Sequence, residues 1–253
     1  MIRALLMLLA LTSPARAQEQ IVSGLSQSRV AITANFDGSE ILIYGAVRRD
    51  APPPVGGGQL QVIITVEGPT TPLIIRRKEK VAGIWLNRAE VRIDAAPSFY
   101  AVATTGPISD ILTDTENLRH RITVDQVIRA VGISAEATNA PDFVQALQRI
   151  RLNEERYRLD ESSVQLTAET LFRADVVLPA NLTEGDYRVR IFLTRDGNIV
   201  DQQERRIGVQ KAGLERFLFN MAHQEPLSYG ILALVLAVLA GWGASTAFRL
   251  IRT

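Results

Sequence analysis

The residue types that commonly carry chemistry are few and widely spaced in this chain. It has no cysteine and two histidines, His120 and His223. Without cysteine there is no thiolate nucleophile, no disulfide framework and no cysteine-based metal site. His120 lies between two arginines, which disfavours a metal cation, and no second histidine stands four residues away. We therefore expect a surface histidine with ordinary polar partners, and no metal, cofactor or catalytic residues.

Two other groups have the wrong spacing for a known kind of site. Asp110, Asp114 and Glu116 lack the pattern of a twelve-residue calcium loop, so we expect a solvated acidic face. The glycines at 56–58 precede a predicted strand rather than a helix, so they do not form a phosphate-binding turn. The residues favour a protein that is not an enzyme. A hydrolase assembled from scattered polar residues is the alternative.

Three aromatic residues form a candidate binding patch. Trp85 follows Gly83, and Phe99 and Tyr100 follow Pro97. Aromatic side chains at strand ends can bind a ligand or a partner. The competing interpretation is that alternate members of these strands fill the core.

The charge balance argues against nucleic acid as a partner. The formal net charge is +1. If a leader containing Arg3 and Arg16 is removed, and Arg249 and Arg252 lie across a membrane, 24 basic and 27 acidic residues remain between them. A domain with a net charge of −3 lacks the basic surface that binds nucleic acid.

The C-terminal region predicts a transmembrane helix. Residues 227–248 contain no charge, and a helix of this length crosses the hydrocarbon core of a bilayer. Small residues recur on it every fourth position, namely Ala233, Ala237, Gly241 and Ser245. Such a spacing leaves a groove in which a second helix can pack closely. We therefore expect a membrane-protein partner or self-association through this face.

The two ends of the chain predict its orientation. Residues 1–17 resemble a signal peptide, with Arg3, a short apolar segment and Ala15-Arg16-Ala17 before the expected cleavage site. Arg249 and Arg252 follow the predicted span, and positive flanks prefer the cytoplasm. We expect a periplasmic region at 18–210, an amphipathic juxtamembrane segment at 211–226 and a cytoplasmic tail at 249–253.

The region between the ends alternates as strands do. The predicted inward rows are Ile41, Ile43 and Val47, then Leu60, Val62, Ile64 and Val66, and later Tyr187, Val189, Ile191 and Leu193. Two further strands are predicted on either side of a charged turn at 77–80, and Asp196-Gly197 predicts a hairpin turn.

A helical pattern interrupts the strands at about 106–160. It predicts one helix that begins after Thr123 and another that begins near Pro141, with Phe143, Leu147, Ile150 and Tyr157 on one face. The predicted fold is mainly β, an immunoglobulin-like antiparallel sandwich with a helical insertion, plus a single C-terminal transmembrane helix. Two small β modules are the alternative.

These features together resemble a family of uncharacterised transmembrane proteins of alphaproteobacteria. The resemblance covers the whole chain and includes the segment at 97–103 (Pro-Ser-Phe-Tyr-Ala-Val-Ala). It implies a single-pass protein of the bacterial inner membrane with its β-rich domain in the periplasm. It brings no catalytic or ligand-binding residues. Members are often encoded near transporters of the sulfite-exporter type, and this association points to an anion transporter as a partner.

Two functions are consistent with this sequence. The first is a non-enzymatic accessory protein that packs against a membrane partner through the small-residue face of its helix. The second is a tethered module that binds a periplasmic ligand or a cell-envelope polymer through the region of Trp85, Phe99 and Tyr100.

Overall fold

The computed structural model describes residues 19–33, 36–52, 56–128, 140–211, 213 and 221–251. The chain divides into two compact units. The larger one includes Asp37–Val209, and the smaller one consists of Ala31–Phe36 and Gln210–Thr253. The predicted signal peptide, residues 129–139 of the predicted helical insertion, residues 212 and 214–220 of the predicted amphipathic segment and the last two residues of the predicted tail lie outside the described residues.

The described strands form two large sheets and a separate two-stranded ribbon. In chain order they are β1 (Glu19–Leu25), β2 (Arg29–Ile32), β3 (Ser39–Arg49), β4 (Leu60–Glu67), β5 (Thr70–Val81), β6 (Ile84–Pro97), β7 (Tyr100–Thr104), β8 (Tyr157–Asp160), β9 (Gln165–Thr167), β10 (Leu171–Leu178), β11 (Gly185–Arg195) and β12 (Asn198–Lys211). The four-stranded sheet has the order β1-β3-β10-β9, the six-stranded sheet β2-β12-β11-β4-β7-β8, and the ribbon is β5-β6. Strand β7 runs parallel to β8, whereas the pairs β1-β3, β3-β10, β10-β9, β12-β11, β11-β4, β4-β7 and β5-β6 are antiparallel.

The two large sheets bury alternate residues, as the sequence predicts. In the four-stranded sheet Ile41, Ile43 and Val47 are buried, while Tyr44 on the opposite face is exposed. On β11, Val189 and Ile191 are fully buried. Because side chains alternate across a strand, these rows form one apolar face on each sheet. The prediction of a mainly β fold with antiparallel sheets is confirmed.

The first strands of the domain meet the last one. The backbone nitrogen of Ile21 donates to Oδ2 of Asp201 at 2.7 Å, and that of Gly208 donates to the carbonyl oxygen of Ser28 at 3.0 Å. The residues joined in this way are about 180 positions apart in the chain.

The six-stranded sheet is covered on both faces. On β4 the residues from Val62 to Glu67 are all buried, so the strand has no solvent-facing side. The face of the six-stranded sheet that points away from the sandwich packs in a second hydrophobic core, which we call the second core. It is built from strands, helices and the base of the ribbon, and its residues are Ile63, Val91, Ile93, Ala96, Tyr100, Val102, Ile111, Leu112, Ile122, Val127, Ile128, Phe143, Leu147, Tyr157 and Phe192. The domain is therefore a sandwich with an additional covering layer.

The covering layer includes four helices, three of them short. They are α1 (Ile108–Ile111), α2 (Asp114–His120), α3 (Val124–Val127) and α4 (Ala140–Asn153). Phe143 and Leu147 are buried as predicted, but Ile150 is 46% exposed. Tyr157 does not continue the face of α4, because that helix ends at Asn153 and Tyr157 begins β8 beside β7.

The ribbon is longer than the sequence predicts, and its turn lies elsewhere. Arg77 and Lys80, predicted at the turn, lie within β5, and the chain reverses at Ala82-Gly83. Both turn residues have positive φ, 50° and 87°, as a two-residue hairpin turn with a matching twist requires. Glycine adopts this conformation without strain, which favours a reversal at 82–83 over one in the charged segment.

A buried ion-pair network connects the two large sheets. Glu19 of β1 contacts Nε of Arg49 at 2.8 Å and Nη2 of Arg195 at 2.8 Å. The side chains of Glu19 and Arg195 are 4% and 8% exposed. Nη1 of Arg195 also donates to the carbonyl oxygen of Gly58. Burial raises the pKa of Glu19, but the hydrogen bonds and charges of Arg195 and Arg49 outweigh it, so the pKa is lowered.

The smaller unit contains the C-terminal helix α5 (Pro226–Ile251). Among the described residues it is the one helix that is long and apolar enough to span a membrane, with a mean hydropathy of 1.9 over Pro226–Ser245. No part of that segment is buried against the rest of the protein. The prediction of one C-terminal apolar helix is confirmed.

Two buried tyrosines predict a loss of stability at alkaline pH. Burial raises the pKa of Tyr100 and of Tyr157 to about 12, and each hydroxyl donates to a buried carbonyl oxygen, of Ile122 and Pro97 respectively. In the unfolded chain a tyrosine ionises near pH 10. The folded state then holds more protons than the unfolded state, so the free energy of unfolding falls between about pH 10 and 12. Denaturant titrations across this range test this, and a constant unfolding midpoint would contradict it.

Candidate functional site

The small-residue face of α5 is open along its length. Ala233, Ala237, Gly241 and Ser245 are all exposed. A Cβ atom built on Gly241 would have no heavy atom within 4 Å. The face is therefore free to pack against another helix, and nothing in the described residues covers it.

The three predicted patch aromatics do not share a surface. Trp85 is 64% exposed on β6, near the tip of the ribbon, whereas Phe99 and Tyr100 are 1% and 0% exposed. The ring of Phe99 lies 6.1 Å from that of Tyr187. Tyr100 faces the second core, because the helical layer covers that side of the sheet. Of the three residues, only Trp85 is available to a ligand or a partner.

The surroundings of Trp85 are apolar at the turn and charged farther along the ribbon. Val81, Ile84 and Leu86 are also exposed around it. Lys80 pairs with Trp85 across the ribbon, and the exposed ion pair of Arg76 with Glu90 lies farther from the turn. The ribbon thus ends in an exposed apolar tip, which consists of Val81, Ile84, Trp85 and Leu86.

A cavity with mainly basic walls lies on the second face of the six-stranded sheet. Its volume is about 360 Å³. The charged or titratable residues that line it are Glu67, Arg119, His120, Arg121, Arg188 and Arg190. We call it the arginine cavity.

Strand alternation places two of these arginines. Val189 and Ile191 of β11 point into the sandwich, so Arg188 and Arg190 point to the other face. Arg188 stands opposite Glu67 in the register of β11 with β4, and its Nη2 contacts Oε2 of Glu67 at 2.6 Å. Glu67 is buried and Arg188 is exposed.

Arg190 is held by the end of α2. Its Nη1 donates to the carbonyl oxygen of His120 at 2.6 Å and its Nη2 to that of Arg121 at 3.0 Å. Nη2 also donates to Oη of Tyr100 at 3.2 Å. Its Nε is buried and has no hydrogen-bond partner in the described part of the chain. The guanidinium is therefore fixed in place by three hydrogen bonds.

The end of α2 supplies the other basic residues. Arg119 and His120 occupy its last turn, and Arg121 is its C-cap in the left-handed conformation, with φ of 50°. Glu116, predicted on a solvated face, is buried instead and contacts both Arg119 and His120. Nδ1 of His120 lies 3.1 Å from Oε1 of Gln202. His120 thus has polar partners, as predicted, but beside a cavity that the sequence did not predict.

Sequence reasoning missed the arginine cavity for a definable reason. The alternation of β11 already places Arg188 and Arg190 on one face, opposite the predicted inward row. A charged face on a strand normally points to solvent. The helical layer that encloses this one belongs to a segment about 70 residues earlier, and no local pattern reports that contact.

The β sandwich, its helical layer and the exposed apolar helix define a β-rich protein with one candidate membrane span in the part of the chain that the structure describes. A family model described as "Putative transmembrane protein (Alph_Pro_TM)" matches residues 20–250. The chain belongs to this family of transmembrane proteins, so the predicted resemblance is confirmed.

The remaining comparisons add little. No curated protein matches the chain significantly. Among solved structures, the sporulation control protein Spo0M of Bacillus subtilis is similar at 12% sequence identity, with a TM-score of 0.28. The match covers 82% of this chain and 56% of Spo0M. At this TM-score the likeness carries no structural argument.

Proposed function

We propose that this protein is a non-enzymatic accessory protein of the bacterial inner membrane. In this proposal α5 spans the membrane once, the β domain is periplasmic and the C-terminus is cytoplasmic. The basic residues that follow the span support this orientation, because such residues prefer the cytoplasmic side. The signal-like sequence at 1–17 supports export of the domain.

The observation that carries the proposal is the open small-residue face of α5. A helix that serves only as an anchor gains nothing from small residues at every fourth position. Lipid chains are as apolar as leucine, so helices associate in a bilayer through close packing rather than through the hydrophobic effect. Ala237 and Gly241 at the middle of this face allow such packing, and both are exposed.

The proposed occupant of this face is a helix of a polytopic membrane protein. An anion transporter of the sulfite-exporter type is the partner that the family resemblance implies. In that assembly the β domain covers or feeds the periplasmic mouth of the transporter. A second copy of this chain is the alternative occupant.

Bulky residues on this face are expected to abolish the association. In an Ala237→Ile/Gly241→Ile variant the new side chains hold the partner helix away, while the added apolar groups favour insertion. In-cell crosslinking, gentle solubilisation and affinity purification should recover a polytopic partner with the wild type and not with the variant. Recovery of only the chain itself would indicate a homo-oligomer.

The matched control places similar changes on the opposite face. Val235 and Leu239 lie about half a turn away from Ala237 and are 49% and 56% exposed. A Val235→Ile/Leu239→Ile variant should retain the partner. Equal recovery with the small-residue variant and this control would rule out the proposed packing face.

A further inference from the structure

We propose that the arginine cavity is a binding site for an anion, a small molecule or headgroup that carries a phosphate or sulfate group. This inference does not depend on the accessory function proposed for the helix, because it concerns a different part of the chain.

The charge of the cavity wall favours an anion. Arg119, Arg121, Arg188 and Arg190 all line it. Three carboxylates oppose them: Glu67 in the wall, Glu116 in contact with Arg119, and Glu204, which stands opposite Arg190 in the register of β11 with β12 and acts on Arg188. Glu204 in turn pairs with Arg206. The five arginines and three glutamates together carry a net charge of +2. No described carboxylate forms an ion pair with Arg121 or Arg190 in the structure, so these two are the least neutralised.

The arginines are also preorganised. Arg190 is fixed by two carbonyl oxygens at the end of α2 and by the Tyr100 hydroxyl, so it loses little side-chain freedom on binding a ligand. Planar guanidinium groups donate in pairs to phosphate, sulfate and carboxylate oxygens.

The size of the cavity indicates more than a bare ion. A volume of about 360 Å³ exceeds by severalfold the share of one water molecule, about 30 Å³. It lies at the lower end of the range of small-molecule sites. The ligand class is therefore a small organic phosphate or sulfate, or a lipid headgroup with the same chemistry.

The test measures sulfate binding to the full-length protein in zwitterionic detergent. Sodium sulfate is titrated at constant ionic strength against sodium chloride, and the thermal midpoint and the heat of binding are recorded. A ligand that binds only the folded state raises the midpoint. The proposal predicts a rise with sulfate beyond that with chloride, and inorganic phosphate should compete. Identical curves for the two salts in the wild type would overturn it.

Three variants should change sulfate binding differently: one weakens it, one strengthens it and one leaves it unchanged. Arg121→Gln removes an exposed donor and should weaken sulfate binding about tenfold, as expected for one charge-assisted hydrogen bond. Glu67→Gln removes the carboxylate that competes for Arg188 and should strengthen it. Arg173→Gln makes the same charge change on β10 of the four-stranded sheet, at a side chain that is 59% exposed, and should leave it unchanged. An equal loss for Arg121→Gln and Arg173→Gln would contradict a specific site.

Nanodiscs distinguish the two sources of the anion. If discs with phosphatidylglycerol weaken sulfate binding relative to discs with phosphatidylcholine alone, a lipid headgroup occupies the cavity. If they do not, the ligand is a soluble solute. Both results support the site. The Ala237→Ile/Gly241→Ile variant should bind sulfate normally, so failure of the helix proposal remains distinguishable from failure of this one.

Discussion

Replacement of Glu19 by alanine is expected to destabilise the β domain by about 3–5 kcal/mol, the range for removing one partner of a buried ion pair. The substitution removes the buried carboxylate that Arg195 and Arg49 share and leaves them the more exposed carboxylate of Glu169, at 3.7 Å and 3.5 Å. Chemical denaturation of the full-length protein, followed by circular dichroism, measures this loss.

An exposed pair provides the control. Glu90 pairs with Arg76 at 3.1 Å, and both side chains are more than half exposed. Glu90→Ala should cost less than about 1 kcal/mol, as is usual for surface pairs. Similar losses for the two substitutions would show that burial does not strengthen the Glu19 network.

The same network predicts sensitivity to acid. Because the pKa of Glu19 is lowered in the folded state, the stability that it contributes is present above the ordinary pKa range of a glutamate. That stability is lost as the pH falls through the lowered pKa of the folded state. The wild type should therefore lose stability in acid faster than Glu19→Ala.

Replacement of Tyr100 by alanine is expected to lower the free energy of unfolding by about 3–5 kcal/mol, as for other large buried aromatic residues. Tyr100 is fully buried and is among the largest side chains of the second core. The substitution also removes the hydroxyl that donates to Ile122 and accepts from Arg190. Equilibrium unfolding of the variant tests this.

Trp85→Ala gives the contrast, since the side chain is 64% exposed. Surface substitutions of this kind usually change stability by about 0.5 kcal/mol or less. If instead Tyr100→Ala were tolerated and Trp85→Ala were destabilising, the assignment of these residues to core and surface would be incorrect. The contrast also makes Trp85→Ala usable in binding assays.

The sequence predicts those parts of the fold that depend on local periodicity. Alternation identifies the buried rows of β3, β4 and β11, and Asp196-Gly197 identifies a turn that the structure places between β11 and β12. The position of the ribbon turn was predicted incorrectly, because a run of charges resembles a loop even when it lies on a strand. The pairing of strands far apart in the chain, such as β3 with β10, has no local pattern.

Of the two candidate sites, one could be predicted from local periodicity and the other could not. The small-residue face of α5 follows from helical spacing alone, since one helix carries all of it. The arginine cavity combines α2, β4 and β11, and its enclosure depends on tertiary contacts. The sequence also could not assign Phe99 and Tyr100 to core or surface, because an aromatic residue at a strand end is consistent with both. In the folded protein both residues are buried, and Tyr100 is buried because the helical layer covers that face of the sheet.

The contact between the first and last strands has a consequence for the time at which this domain can fold. Strand β1 can pair early with β3, but Ser28 and the strand β2 that follows it acquire their partner only when β12, which begins at Asn198, has been synthesised. Closing so long a loop costs entropy before any contact repays it, so folding is expected to be slow and to start late. Strand β2 therefore stays unpaired until nearly the whole domain has emerged.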